Sequence, residues 1–314
     1  MEKVTSTTQR FSRKVGDAIQ EGTDRSSHVH TKNLFDVQGR VALVTGGGSG
    51  IGLMATQALA MHGAKVYIVG RSQEKLDKVV ETYGKTIPGE IIALNYDVSR
   101  KDQIDALYQD FSSREKCLCI LINNAGIGSN TFETKASTPE EMKQNLFLSP
   151  NATFEEWTSV YQSLVPQLYF MTTAFLPLLA HSTERHLGYS GTVINIASAS
   201  GMIKSAQHHF AYSTAKAATI HLSRLLSSEI ADNGFKIRVN SISPGVFPSE
   251  LTTGGSDDTQ KSHLSKETFE GRIPAGRPGK DEDIASTILF CAANQYLNGQ
   301  NVVIDGGYTL AAGM

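Results

Sequence analysis

From Arg40 onward, short runs of apolar residues alternate with longer segments in which apolar positions recur at helical spacing. The runs are Val41–Thr45, Val66–Val69, Ile91–Leu94, Leu118–Ile122, Thr192–Ile196, Ile237–Ile242 and Val302–Ile304. Each is apolar almost throughout rather than at alternate positions, the pattern of a strand covered on both faces. Strands of this kind joined by helices predict right-handed βαβ crossovers, and hence a doubly wound α/β fold around a seven-stranded parallel sheet. Ser99 with Asp102, and Thr153 with Glu156, have the spacing of a capping box and mark two helix starts. Gly63 and Gly234 stand where left-handed helix caps would fall. Before Arg40 the pattern fails: residues 1–37 are polar, mixed in charge and without an apolar stripe, which predicts a flexible N-terminal arm ahead of a single domain over 38–314.

The first strand runs into Thr45-Gly46-Gly47-Gly48-Ser49-Gly50-Ile51-Gly52, and a helical segment, Leu53 to His62, follows. A strand that turns into a helix through glycine leaves the helix's first N–H groups pointing into the turn. Phosphate is drawn there by hydrogen bonding and by the helix dipole, and glycines let a pyrophosphate approach the backbone. Glycines also serve ordinary tight turns, but the strand-to-helix context predicts a Rossmann-type dinucleotide site, with Gly46, Ser49, Gly50, Ile51 and Gly52 as its expected contacts. About twenty residues on, the second strand ends at Gly70-Arg71-Ser72, where an acid would read the 2′-hydroxyl of NAD. Arg71 instead suits the 2′-phosphate of NADP(H), although an arginine also opens many solvated helices. Ligands of such sheets sit beyond the strands' carboxyl ends. Asp97 and Val98 follow the third strand, where the carboxylate can accept from an adenine amino group or from local backbone. Asn123-Asn124-Ala125-Gly126 follows the fourth, and its small residues allow close backbone approach to a ribose.

Tyr212-Ser213-Thr214-Ala215-Lys216 places Tyr212 and Lys216 on one helical face, at i and i+4. A phenol titrates near pH ~10, too high for proton transfer at neutrality, and an adjacent ammonium is expected to lower it. Ser198, ending the fifth strand, can donate to a substrate oxygen that gains charge as hydride arrives. The three side chains are expected to converge on one carbonyl.

Taken together, Thr45-Gly46-x-x-x-Gly50-x-Gly52, Asn123-Asn124-Ala125-Gly126, Ser198, Tyr212-x-x-x-Lys216 and Pro244-Gly245 resemble the short-chain dehydrogenase/reductase family over residues 38–310. The resemblance implies NAD(P)-dependent oxidoreduction of a carbonyl or secondary alcohol. Tyr212 would be the acid/base, and Lys216 would hold the nicotinamide ribose. Pro244, Gly245, Val246 and Ser249 match cofactor contacts, with the backbone of Val246 reading the carboxamide. Arg277-Pro278-Gly279 and Asp305-Gly306-Gly307 match closing segments that support fold and assembly. The phrases Ala174-Phe175-Leu176-Pro177 and Gly245-Val246-Phe247-Pro248 resemble fungal members of the 3-oxoacyl-carrier reductase type. The resemblance also implies a homodimer or homotetramer paired through Trp157–Leu179 and Tyr212–Ile230.

The chain departs from that pattern in two places. A polar insertion at about 127–153, with a short helix expected at Thr138-Pro139-Glu140-Glu141-Met142, is longer than an ordinary αβ connection and is placed to rim the substrate pocket. Leu164 stands at the family's catalytic asparagine, whose carbonyl holds a relay water, and Pro166 should kink the helix beside it. That departure keeps open a non-redox dinucleotide-binding protein of the same fold. A flexible, polar run, Thr252 to Asp258, lies within a stretch, 247–271, read as a substrate lid. His208 and His209 fall near Tyr212 and are read as loop residues that border the pocket.

A net charge of −2 over 314 residues gives no general attraction to nucleic acid or anionic membranes, so the expected partner is a small molecule. The apolar stretch Phe170–Ala180 is shorter than a bilayer span and contains Pro177. Three cysteines, Cys117, Cys119 and Cys291, lack metal-ligand spacing and read as packed thiols of a reduced, cytoplasmic protein, in which Asn151-Ala152-Thr153 is an idle glycosylation match. Arg10, Arg13 and Lys14 do not make an organelle-targeting segment, because Glu2, Asp17, Glu21 and Asp24 accompany them.

Overall fold

A computed structural model of the chain describes residues 29–314 apart from Arg272. The chain divides between Asp36 and Val37 into two units. Most of the expected arm, residues 1–28, lies outside the described residues; the described end of the first unit holds a one-turn helix, α1 (Thr31–Leu34), capped by His30, whose Nδ1 accepts from the Lys32 N–H.

The second unit is built on seven strands: β1 (Val41–Thr45), β2 (Lys65–Gly70), β3 (Glu90–Asn95), β4 (Ile120–Asn123), β5 (Gly191–Ile196), β6 (Ile237–Pro244) and β7 (Asn301–Ile304). They form one sheet in the order β3-β2-β1-β4-β5-β6-β7, with every pairing parallel. All seven coincide with the apolar runs read from the sequence. The order reverses between β1 and β4, which opens a crevice at their carboxyl ends. The helices are α2 (Gly50–Met61), α3 (Gln73–Tyr83), α4 (Lys101–Arg114), α5 (Pro139–Leu146), α6 (Phe154–Leu164), α7 (Pro166–Arg185), α8 (Phe210–Asp232), α9 (Glu250–Thr253), α10 (Asp281–Ala293) and α11 (Tyr308–Ala312).

Strands β1, β4, β5 and β6 are buried along nearly their whole length because helices cover both faces. On one face α4, α7 and α8 bring Leu107, Phe111, Met171, Phe175, Leu226 and Ile230 onto Leu43, Tyr67, Leu121, Val193 and Val239. Edge-on contacts Tyr67–Phe111 and Phe111–Phe175, at 4.9 and 5.6 Å between centroids, hold that layer in register. On the other face α2 packs against α10.

Local signals succeed and fail for identifiable reasons. Thr153 caps α6, its hydroxyl accepting from the Glu156 N–H at 3.1 Å, but the Glu156 carboxylate accepts from the Asn130 N–H at 2.9 Å instead of closing the box. The Ser99 cap is not formed: α4 begins after Arg100, and the Ser99 hydroxyl is spent donating to Asp97 Oδ1 at 2.7 Å. Gly63 and Gly234 are left-handed as expected, with φ of 84° and 77°. The expected short helix in the insertion is α5, capped by Thr138 with Pro139 in its first turn.

Phe154–Arg185 is long and apolar enough to span a bilayer, contrary to the reading of its sequence. Its apolar side chains are explained otherwise: Leu168, Met171, Phe175, Leu178 and Leu179 are buried under the sheet. The run is also broken where expected. Pro166 has no N–H to continue the ladder, and Val165, at φ −123° and ψ −67°, separates α6 from α7.

Candidate active site

The crevice at the carboxyl ends of β1, β2, β4, β5 and β6 is a cleft of about 740 Å³. The glycine turn forms its floor, and the backbone geometry there requires glycine at two positions. Gly46 has φ +66°, and a Cβ on Gly52 would stand 2.1 Å from the Gly46 carbonyl oxygen. Thr45 and the Asn-Asn pair brace this turn from beneath. Thr45 Oγ1 accepts from the N–H groups of Asn124 and Ala125, and Asn124 Nδ2 donates to the carbonyls of Thr45 and Gly46. Asn123, fully buried, donates to Thr172 and Asn195. These amides therefore fix the loop.

Among the residues singled out in the sequence, Gly46, Ser49, Gly50, Ile51, Arg71, Asp97, Val98, Asn124, Ala125, Gly126, Ser198, Tyr212, Lys216, Pro244, Gly245 and Ser249 line this one cleft. Gly52 and Val246 do not. Gly52 lies beneath the turn against Gly46 and Asn124, and the Val246 carbonyl accepts from the Gly279 N–H at 2.9 Å. Asp97 Oδ1 accepts from both the N–H and the hydroxyl of Ser99, so one of its oxygens serves local backbone. Partial burial opposes its charge, but those hydrogen bonds and the nearby Arg71 and Arg100 hold the carboxyl below its usual range.

At the β5 end, Ser198 is nearly buried, and its Oγ accepts from the Ser200 N–H at 3.1 Å. Tyr212 and Lys216 share a face of α8, with Lys216 Nζ 5.6 Å from the centre of the Tyr212 ring. Burial alone pushes the Lys216 ammonium down to about 8, and it donates to the Ile196 carbonyl at 2.7 Å. The phenol does not follow the expected direction. Desolvation around the Tyr212 hydroxyl pushes it up, and the hydrogen bond with Ser198 only partly offsets this. Lys216 makes its hydrogen bond to the main-chain carbonyl at the end of β5, not to the phenol.

Leu164 is buried at the end of α6, and its Cδ2 would lie 2.5 Å from a Cβ on Gly126. Its carbonyl accepts from Thr219 Oγ1 at 2.9 Å, and Ser163 Oγ accepts from the Ile127 N–H at 3.1 Å. From the insertion, Ile127 lines the cleft, while residues 128–153 are not among the lining residues. The insertion is instead clasped to the loop before α8: Phe132 N–H donates to the His208 carbonyl, and His208 Nδ1 pairs with the Phe132 carbonyl at 2.8 Å. His208 and His209 are not among the residues that line the cleft.

The stretch read as a lid contributes Phe247, Ser249, Glu250, Leu251 and Thr252 to the cleft. It is tied down rather than loose: Glu250 pairs with Lys75 across the mouth at 2.6 Å, Tyr83 donates to the Thr259 carbonyl at 2.7 Å, and Lys261 reaches Gln57 at 2.6 Å. Sequence reasoning missed Lys75, Glu250, Gln162, Ser163 and Gln167, all of which line the cleft. Lys75 had a signal, since it lies one helical turn from Arg71. The others did not, because the wall they form is assembled from separate segments.

Residues 40–260 match the family model for short chain dehydrogenases. The chain is a short-chain dehydrogenase. It is 37% identical over 281 residues to the short-chain dehydrogenase/reductase PhomF of Diaporthe leptostromiformis, covering 88% of this chain and 93% of the relative. It is 33% identical over 278 residues to the rhamnolipids biosynthesis 3-oxoacyl-[acyl-carrier-protein] reductase of Pseudomonas aeruginosa, covering 88% and 98%. The solved Pseudomonas aeruginosa RhlG/NADP active-site complex superposes with a TM-score of 0.70 at 31% identity, over 88% of this chain and 98% of that one. This dehydrogenase therefore belongs to a family of oxidoreductases that bind a nicotinamide dinucleotide and act on CH–OH and C=O groups.

Proposed function

We propose that this dehydrogenase is an NADPH-dependent ketone reductase that also runs in reverse on the corresponding secondary alcohol. The observation that carries the reading is that Ser198, Tyr212 and Lys216 line the same cleft as the glycine turn. Arg71 follows β2 and Ser198 follows β5, three strand spacings apart in the sheet order. At about 4.8 Å per strand this separates them by roughly 14 Å, a span suited to an extended dinucleotide with its phosphate end at Arg71 and its reactive ring near Tyr212.

The residues fit such a cofactor: Gly46, Gly48, Ser49 and Gly50 of the turn line the cleft where a pyrophosphate can approach the backbone, and Arg71 supplies a fixed positive charge at the β2 edge. When bound, the nicotinamide supplies or accepts the hydride. Ser198 donates to the carbonyl oxygen of the substrate and orients it, and Tyr212 gives that oxygen its proton. Lys216 binds the ribose and keeps an ammonium near the phenol. Pro244, Gly245 and Ser249, together with Asp97, Val98 and Asn124–Gly126, serve as further cofactor contacts. Residues 247–271, fastened through Glu250, Thr259 and Lys261, cover the substrate as a fixed lid, and the segments Trp157–Leu179 and Tyr212–Ile230 pair with their copies in a dimer or tetramer, an assembly measurable by light scattering.

The PhomF and acyl-carrier reductase relatives support a ketone of specialised or acyl metabolism as the substrate class. The test is NADPH consumption with a panel of small ketones and 3-oxoacyl thioesters, with Tyr212→Phe as control. Turnover that falls by about 10²–10⁴-fold in the variant supports the reading. Equal inactivity of wild type and variant toward every carbonyl, with tight NADPH binding retained, replaces it with a non-redox dinucleotide-binding role.

A further inference from the structure

We propose that Cys117, Cys119 and His186 form a binding site for a thiophilic divalent cation of the zinc class, remote from the catalytic cleft. In the sequence, the two cysteines lack a partner pair and His186 lies far along the chain. The fold brings their ligand atoms within 4.8 Å of one another. Zinc bound at about 2.3 Å from sulfur and about 2.0–2.1 Å from nitrogen places tetrahedral ligand atoms roughly 3.3–3.8 Å apart, so small side-chain rotations close the site.

Rigid backbone sets this geometry. Leu118, fully buried, donates its N–H to the Leu178 carbonyl at 3.0 Å, and Cys119 donates its own to the Val41 carbonyl at 2.8 Å. Both cysteines are thereby fixed at the amino end of β4. His186 caps the end of α7, donating its N–H to the Ser182 carbonyl, and its carbonyl accepts from the Tyr189 N–H. A second observation points to a ligand at the same place. Tyr189, 7% exposed, has its ring centre 6.5 Å from that of His186, and its buried hydroxyl has no hydrogen-bond partner among the described residues. That hydroxyl offers a polar partner for a water on the bound ion.

Charge selects the ion. Arg40 lies over the Tyr189 ring at 4.2 Å, the charge of Arg185 is felt at both Cys117 and His186, and that of Glu115 at Cys117. A site beside two arginines disfavours an uncompensated cation, whereas two thiolates with one divalent ion are neutral together. Binding therefore releases both thiol protons to solvent, leaves the histidine neutral, and changes no oxidation state. Both thiols are buried, so the ion must displace their protons on binding. The site opens at His186, which is partly exposed. It lies at the opposite end of the sheet from the cleft, and the bound ion would tie the end of α7 to the starts of β4 and β5.

The test is a Co²⁺ titration of the reduced, full-length chain, read by thiolate-to-cobalt charge-transfer absorption and then displaced with Zn²⁺. The expected result is one equivalent with a thiolate band. Affinity should rise toward a hundredfold per pH unit while two protons are released. Cys117→Ser, Cys119→Ser and His186→Asn should each weaken Zn²⁺ binding by at least about tenfold, since even outer-shell changes cost about 10–100-fold. Cys291→Ser should leave it unchanged. His186→Asn removes a partly exposed ligand and guards against a cysteine variant that fails to fold. No thiolate band at stoichiometric Co²⁺ with all thiols reduced overturns the proposal, as does an undiminished band in either cysteine variant.

Discussion

Replacing Gly52 by alanine tests how closely the turn is built. The added Cβ would lie 2.1 Å from the Gly46 carbonyl oxygen and 2.5 Å from Asn124 Nδ2. Ordinary carbon contacts are about 3.5–4.0 Å, so one partner must retreat by more than about 1 Å. Neither can do so cheaply. Gly46 is backbone of the turn, and Asn124 Nδ2 is held by the carbonyls of Thr45 and Gly46 at 3.0 and 3.2 Å. Overpacking of this kind costs about 1–3 kcal/mol. Because Gly46 and Asn124 both line the cleft, the displacement passes directly to cofactor contacts, corresponding to roughly 5- to 150-fold weaker NADPH binding.

Gly48, two residues from Gly46, makes the control. A Cβ there would meet Leu76 at 3.5 Å and Lys75 at 3.8 Å, ordinary contact distances, so Gly48→Ala should change stability by less than about 0.5 kcal/mol. The assay is NADPH fluorescence titration of both variants, with circular dichroism and melting temperature to separate a local shift from loss of fold. Gly52→Ala binding NADPH as tightly as wild type, with an unchanged melt, would refute the reasoning.

Arg71→Ala should reduce the preference for NADPH over NADH by at least tenfold, because a charge-assisted hydrogen bond contributes about 1.5–3 kcal/mol; equal wild-type affinity for both cofactors contradicts the assignment. At pH 7 Lys216 is protonated both folded and unfolded, and its fall from 10.5 to about 8 corresponds to a folded-state penalty of about 3 kcal/mol. Above pH 8 the folded chain loses that proton first, so stability relative to Lys216→Met should rise between pH 8 and 10.5, and a flat difference in chemical denaturation would count against it. Thr219→Val removes the hydroxyl held between the Leu164 and Ala215 carbonyls and should cost about 1–3 kcal/mol in denaturant melts, whereas an unchanged midpoint would show that those carbonyls find other partners.

The sheet was legible because its strands are buried on both faces, and an unbroken apolar run is hard to confuse with the mixed segments around it. The cleft's floor and its Ser198–Tyr212–Lys216 end were legible because each lies directly after such a run or on a helix of fixed period. What escaped the sequence was partnership between side chains. Lys75 and Glu250 are 175 positions apart and meet only because the chain returns over the cofactor cleft. Ser99 has the spacing of a cap, but Asp97 takes its hydroxyl first. Cys117, Cys119 and His186 have no common period, since they are joined by the crossover that lays α7 beside β4.

Leu164 carries this point into the chemistry. Read from the sequence, a leucine in place of the family's asparagine loses a polar side chain beside the acid/base and casts doubt on the reaction. In the fold, the polar partners around it come from neighbouring residues. Ser163, one position earlier, accepts from Ile127 of the cleft wall, and Thr219, one helical turn beyond Lys216 on α8, donates to the Leu164 carbonyl. The leucine side chain turns inward against Gly126, whose lack of a Cβ makes room for it. The carbonyl that remains accepts from Thr219, and Lys216 donates to the Ile196 carbonyl rather than toward Leu164. In this chain the wall beside Leu164 is braced by the Ser163 and Thr219 hydroxyls, with the leucine side chain filling the space that Gly126 leaves.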